Sequence, residues 1–322
     1  MKTGPSEILK ALENDSRFIV TAHVNPDGDS IGASLGLARR LRSAGKNVTV
    51  TMVDGIPPQF AFLGDGEPVT KSFPPDASGS TAVVVDTPEL SRTGAPDGYL
   101  ASASTLLNID HHPSNTLFGD LNLVDVGASS ASLLIHEMLH DSSLGIDPEA
   151  ATMLYAGVLT DTGAFRFGNT DARTFRAAAE LVDAGADAAA VASSVYGEQP
   201  VERLRLLGLV LSSLESELDG RVAVMVLTDE MRRVAGASGE EVEGLASYGH
   251  KLRGVEVSLL LREQGDGVRV SLRSGGEVDV NRIASSLGGG GHRAAAGVFM
   301  KGTIPDVRER LLAEVARSVA RR

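Results

Sequence analysis

Short apolar runs in the first third of the chain end on residues that can hold a cation or a proton, and this repetition constrains the fold most. Arg17–His23 (RFIVTAH), Thr81–Asp86 (TAVVVD) and Thr105–Asp110 (TLLNID) read as buried strands, with a further strand at Asn47–Val53. Between and after them lie segments with helical spacing. Ile31, Leu35, Leu37, Ala38 and Leu41 place a helix over Asp29–Ala44, stopped by Gly45; further helices are predicted over Ala128–His140, Pro148–Thr160 and Asp171–Ala184. Apolar strands alternating with helices predict an α/β domain with a doubly wound, mainly parallel sheet covered on both faces. Ligands of such sheets sit at the C-terminal ends of the strands, where His23, Asp86 and Asp110 fall.

The second half has a different rhythm. A helix-like connector, Ala188–Glu217, contains the run VERLRLLGLVLSSLE. Strands are expected at Val222–Leu227, Val255–Leu261 and Val268–Leu272, and a helix at Val280–Leu287. The segment GGGGHRAAAG (Gly288–Gly297), a strand and a terminal helix complete a smaller mixed α/β domain. The expected division is 1–187, a connector over 188–217, and 218–322. A chain of 322 residues with 42% hydrophobic content can build two cores of this kind.

Cysteine is absent, which excludes disulfides, thiolate zinc sites, iron–sulfur clusters and cysteine nucleophiles. Any metal must be held by His, Asp or Glu. No apolar stretch has the length of a signal peptide core or a membrane span, so a cytoplasmic location without membrane attachment is expected. The formal net charge of −12 discourages duplex DNA from lying across the surface and favours small phosphorylated ligands gripped locally.

The segment His23–Ser30, HVNPDGDS, brings an imidazole and the carboxylates of Asp27 and Asp29 onto one tight turn. Its spacing does not fit an EF-hand, which needs Gly at the place of Ser30 and an acid at the place of Gly36. Asp86 closes an otherwise apolar strand, where a carboxylate is costly to bury without a cation; a helix or turn cap is the alternative. Asp110-His111-His112 follows the next strand, with its two imidazoles on opposite sides of an extended backbone. Asp161 ends an apolar helix within GVLTDTGAFRFGNT.

Taken in order, HVNPDGDS, VVVDT, DHHP and LTDTG resemble the N-terminal motifs of the DHH phosphoesterases, and GGGGHRAAAG resembles the signature of the DHH-associated domain. The resemblance spans nearly the whole chain. The length and the segments FRFGNT and VSLRS are most similar to the bifunctional oligoribonuclease/PAP phosphatases (nanoRNases), some relatives of which hydrolyse cyclic di-AMP. The resemblance implies two manganese ions per chain, with magnesium or cobalt as substitutes. His23 and Asp27 would hold the first, Asp29, His111 and Asp161 the second, and Asp86 would bridge them. Oxygen-rich ligation with one imidazole per metal also suits manganese better than zinc. Asp110 would orient a neighbouring histidine, and His112 would face the scissile phosphate as a catalytic residue together with Asp86. Arg92 matches a family arginine, with a structural ion pair as the alternative. Arg273, Ser274, Gly290, Gly291 and His292 would bind the phosphate end of a nucleotide, with Asn281 near the same pocket and the two domains forming walls of one cleft. The Gly288–Gly291 run is read as a backbone loop around phosphate rather than a flexible connector.

The implied activity is hydrolysis of phosphate esters in short nucleotides by in-line attack of a hydroxide shared by both metals. Expected substrates are linear dinucleotides such as pApA, nanoRNA attacked from the 5′ end, 3′-phosphoadenosine 5′-phosphate and cyclic di-AMP, and a homodimer is consistent with the family. The alternatives are a family II-like inorganic pyrophosphatase, which lacks the glycine signature, a longer RecJ-type exonuclease, and a non-catalytic nucleotide sensor. His136-Glu137-Met138-Leu139-His140 also matches H-E-x-x-H, the zinc metalloprotease pattern. With no clear third ligand downstream, it is read as an amphipathic helix whose Leu134, Ile135, Met138 and Leu139 face the sheet and whose His136, Glu137 and His140 face solvent.

Overall fold

A computed structural model describes residues 2–197, 199–237, 244–275, 277–291 and 293–319. The chain divides into two compact units, Met1–Glu198 and Gln199–Arg322. In the first, the elements run α1 (Pro5–Asn14), β1 (Arg17–Thr21), α2 (Gly28–Ser43), β2 (Asn47–Thr51), β3 (Val69–Thr70), β4 (Thr81–Val85), β5 (Thr105–Asp110), β6 (Leu121–Val124), α3 (Ala131–His140), α4 (Pro148–Asp161), α5 (Ala172–Asp183) and α6 (Ala188–Ala192).

The six strands form one sheet in the order β3-β2-β1-β4-β5-β6, and every pairing is parallel. The chain winds outward from β1 to β3, returns to the middle, and winds outward again from β4 to β6. Strand order therefore reverses between β1 and β4, the position at which doubly wound sheets open a crevice for ligands. The apolar character of β4 follows from burial on both faces. Val83 and Val85 join the large core with α2, α3 and α4, whereas Ala82 and Val84 pack with Leu100 and Leu106 on the other side.

Helices α2 and α4 approach closely because both carry glycine at the crossing. A Cβ on Gly32 would stand 2.3 Å from the Met153 carbonyl, and one on Gly157 would stand 2.7 Å from the Asp29 carboxylate. Asp147 caps α4 by accepting the N–H of Ala150 and pairs with Arg39 and Arg40 of α2.

The second unit contains α7 (Val201–Ser212), β7 (Glu215–Glu217), β8 (Val222–Leu227), α8 (Asp229–Ala235), β9 (Val257–Gln264), β10 (Gly267–Ser274), α9 (Val280–Ser286), β11 (Gly290–Gly291), β12 (Ala295–Lys301) and α10 (Ile304–Val319). Its mixed sheet has the order β11-β12-β10-β9-β8-β7, with only β8 and β9 parallel. One face packs Val222, Leu259 and Val270 against α9 and α10; the other packs Met225, Leu227 and Leu260 against Leu206 and Val210 of α7.

Two readings of the sequence change here. The expected continuous helix over 188–217 is broken: α6 ends in a π-helical turn at Ser193–Gly197, Pro200 precedes α7, and Glu215–Glu217 is an edge strand paired with β8. Proline at 200 lacks an N–H and cannot continue a helix from the preceding turn, so the run restarts there. Gly290 and Gly291, expected in a backbone loop around phosphate, pair antiparallel with Gly297 and Ala296. No helix among the described residues is long and apolar enough to cross a membrane.

Candidate metal centre

The turn after β1 is organised by one carboxylate used twice. Asp27 caps α2: its Oδ1 accepts the N–H groups of Asp29 (3.1 Å) and Ser30 (3.0 Å). Its other oxygen is left facing the His23 ring, with Oδ2 at 3.8 Å from Nε2. His23 places Nδ1 2.8 Å from the Val24 carbonyl, which fixes Nδ1 as the protonated nitrogen and turns Nε2 toward the carboxylates.

Asp86 sits immediately beyond β4 with φ +49°, a left-handed conformation unusual for a side chain larger than glycine. It is 2% exposed. Oδ2 lies 3.5 Å from His23 Nε2, and Oδ1 lies 3.4 Å from His111 Nε2 and 3.6 Å from His112 Nδ1. Oδ1 is buried without a hydrogen-bond partner. One carboxylate thus spans two imidazoles on different strand ends.

His111 follows β5 and resembles His23 in its mounting: Nδ1 is 3.3 Å from the Ala128 carbonyl, and Nε2 is 3.6 Å from Asp161 Oδ2 at the end of α4. Asp29, in the first turn of α2, is 1% exposed and accepts the N–H groups of Ala131 (2.7 Å) and Ser132 (2.9 Å), the start of α3. Ligating atoms of His23, Asp27 and Asp86 lie within 4.8 Å of one another, and so do those of Asp29, His111 and Asp161. The six side chains selected from sequence therefore meet in space, around Asp86.

His112 is held differently. Its Nδ1 lies 2.7 Å from Asp110 Oδ1, while Asp110 Oδ2 accepts from Asn115 Nδ2 at 2.6 Å. Asn115 also reaches Asn108 Oδ1, at 2.7 Å. Two asparagines outside the predicted set thus bond directly to site residues, Asn115 being the first. Asn169 is the second, donating to the carbonyls of Ser129 and Asp161 and so pinning the end of α4. Its signal was the FRFGNT segment; Asn115 had only its place three residues beyond His112 in a turn.

The charges are mutually strained. Burial disfavours ionised His23, but Asp86 and Asp27 outweigh it and carry its pKa to about 9. Burial likewise opposes ionised His111, yet Asp86, Asp29 and Asp161 carry it to about 10. Burial, then the carboxylates of Asp86 and Asp27, push Asp161 up to about 7, and burial with Asp86 and Asp161 pushes Asp29 well upward. Burial also penalises Asp86, but His111 and His23 hold it below the ordinary carboxylate range. Four carboxylates gathered beyond the C-terminal ends of β1, β4 and β5, Asp29 and Asp86 among them buried and one Asp86 oxygen orphaned, form an oxygen-rich donor set that fits divalent cations.

Residues 17–158 match the DHH family, N-terminal domain, and residues 219–321 match the DHHA1 domain. A curated relative from Thermus thermophilus, named bifunctional oligoribonuclease and PAP phosphatase NrnA, is 37% identical over 98% of this chain and 94% of its own length. The chain belongs to the DHH family of phosphoesterases. A Bacillus subtilis protein of the same name is 29% identical over 98% of this chain and 97% of its own. Among solved structures, an exopolyphosphatase-related protein from Bacteroides fragilis is similar at TM-score 0.88 and 26% identity, covering 98% of this chain and 95% of that one. A RecJ exonuclease bound to manganese, 17% identical, shares the fold at TM-score 0.53, with 98% and 95% covered.

In the second unit of this DHH protein, Arg273 lies one residue before the end of β10 and donates to the Leu272 carbonyl, while Ser274 ends the strand and is buried, with Oγ donating to the Val278 carbonyl at 2.6 Å. Gly290 and Gly291 are exposed, and the Asn281 amide oxygen accepts from Ser285. His292 lies outside the described residues. In the first unit, the Arg92 carbonyl accepts the N–H of Val24, beside His23. One expectation fails: His136 is not turned to solvent but is 1% exposed, against α5. An amphipathic reading of α3 alone could not anticipate that a second helix covers this edge.

Proposed function

We propose that this protein hydrolyses phosphate esters of short nucleotides with two divalent cations, manganese in preference to zinc. The observation that carries the reading is Asp86, one carboxylate with an oxygen toward each of two His–Asp groups and one of those oxygens buried without a partner. His23, Asp27 and Asp86 would hold one cation, and Asp29, His111, Asp161 and Asp86 the other. When bound, such a pair supplies an activated water and neutralises charge developing at phosphorus. The chain's own part is positional and protonic. Asp110 raises the His112 pKa and orders its ring, leaving Nε2 to donate to a phosphate oxygen or leaving group. Arg273 and the glycine segment of the second unit would grip the nucleotide's terminal phosphate.

The relatives' names, oligoribonuclease and PAP phosphatase, support short RNA and PAP as substrates, with pApA-like dinucleotides and cyclic di-AMP further candidates. The deciding experiment is a manganese-dependent turnover panel of pAp, pApA, cyclic di-AMP and pyrophosphate. Turnover of pAp or pApA is expected; turnover of pyrophosphate alone moves the protein to the pyrophosphatases, and none at all refutes the reading. Asp86→Asn is expected to lower kcat by at least about 10³-fold with the fold kept, since removing a shared metal ligand forfeits several kcal/mol. Unchanged turnover in that variant would overturn Asp86 as a shared metal ligand, whereas a nucleotide sensor would show no turnover in either protein and unaltered nucleotide binding.

A further inference from the structure

Away from that centre, α3 and α5 carry a second group of ligand-type side chains. His136 and His140 stand one turn apart on α3, with ring centroids 5.2 Å apart, and Glu180 of α5 reaches His136, Oε2 to Nε2 at 2.8 Å. One ligating atom from each of the three lies within 4.8 Å of the others. They border a cavity of about 270 Å³ that also touches Glu137, Asp141, Arg173 and Arg176.

We propose that His136, His140 and Glu180 form a binding site for one transition-metal ion of the zinc class, separate from the oxygen-rich centre around Asp86. Two imidazoles and a carboxylate are the nitrogen-rich set that zinc and cobalt prefer, whereas the Asp86 centre has one imidazole per group. Bonds of about 2.0–2.2 Å to a tetrahedral ion require ligand atoms about 3.3 Å apart. His136 and Glu180 already stand 2.8 Å apart, and no pair among the three exceeds 4.8 Å. Glu180 and His140 have side chains 45% exposed and can shift, while buried His136 is fixed.

The site is not a peptidase centre. In H-E-x-x-H hydrolases the glutamate acts as general base, but here both Glu137 carboxylate oxygens are clamped by Arg173, which also binds Asp125. An ion here would instead tie α3 to α5. The start of the same ten-residue helix holds Asp29 through Ala131 and Ser132. Occupancy at one end of α3 thus stiffens the mount of a carboxylate at the other.

The test is equilibrium dialysis of the full chain against buffered Zn²⁺, followed by metal analysis, for wild type, His140→Ala and Glu180→Gln. Circular dichroism confirms that each variant, altered at a half-exposed position, is folded. Wild type is expected to hold one ion per chain more than either variant, or to bind that ion at least about 100-fold more tightly. The Co²⁺-loaded wild type should also show a tetrahedral visible absorption that His140→Ala loses. Equal Zn²⁺ uptake and affinity in all three proteins overturns the proposal and leaves His136–Glu180 as a hydrogen bond between helices.

Discussion

The rings of His23 and His111 are mounted alike, Nδ1 at a backbone carbonyl and Nε2 toward carboxylates, and both are held protonated near neutral pH, at about 9 and about 10. A cation needs them neutral, so its binding at pH 7 must expel protons. Titration calorimetry of Mn²⁺ in buffers of different ionisation enthalpy should therefore record proton release. Affinity should rise with pH until those pKa values are passed; pH-independent binding would contradict the assignment. His112 is tuned by one neighbour. Asp110→Asn removes the carboxylate that raises it, so the ring loses its proton at lower pH. The alkaline limb of the kcat profile should move downward in pH, and kcat should fall about 10–100-fold.

Helices α2 and α4 bring Asp27, Asp29 and Asp161 together, and their crossing depends on Asp147 as well as on glycine. Asp147 caps α4 and binds Arg39 and Arg40; burial opposes its charge, but the Ala150 N–H and the arginines hold its pKa below the usual range. A depressed folded pKa stabilises the fold above the unfolded value near 3.8 and ceases to do so as pH falls through the folded one. Asp147→Ala should lower stability by about 1–3 kcal/mol at pH 7, with the gap to wild type narrowing below about pH 3.8 in urea melts. Strands β1, β4 and β5 were legible in the sequence because burial on both faces leaves them almost wholly apolar, and their terminal His and Asp stand out against that background. Elements joined by local breaks or by distant partners were not. Pro200 interrupts a run whose apolar spacing continues through it, and His136 is covered by Glu180 of α5, 44 positions on. The capping of Asp29 by α3 was hidden for the same reason: nothing near Asp29 in sequence announces Ala131 or Ser132.

Across the molecule, the ligands of the Asp86 centre all belong to the unit Met1–Glu198. Divalent cations held there as proposed would bind the folded unit and not its unfolded form, so they should stabilise it by mass action. Hydrogen exchange on the intact chain should slow on adding Mn²⁺ at the ends of β1, β4 and β5 and in α4, while β8, β9 and β10 stay unchanged; uniform slowing, or none, would count against the centre. The wide scatter of those six side chains along the chain has a consequence for synthesis. During translation the HVNPDGDS segment leaves the ribosome long before Asp161 does, and a partial chain carries only isolated, water-covered acids and imidazoles. Completion of the Asp29–His111–Asp161 group must wait until α4 docks against α2, which makes it a late and non-local event, and any protein stalled short of that docking would lack the second of the two proposed cation sites.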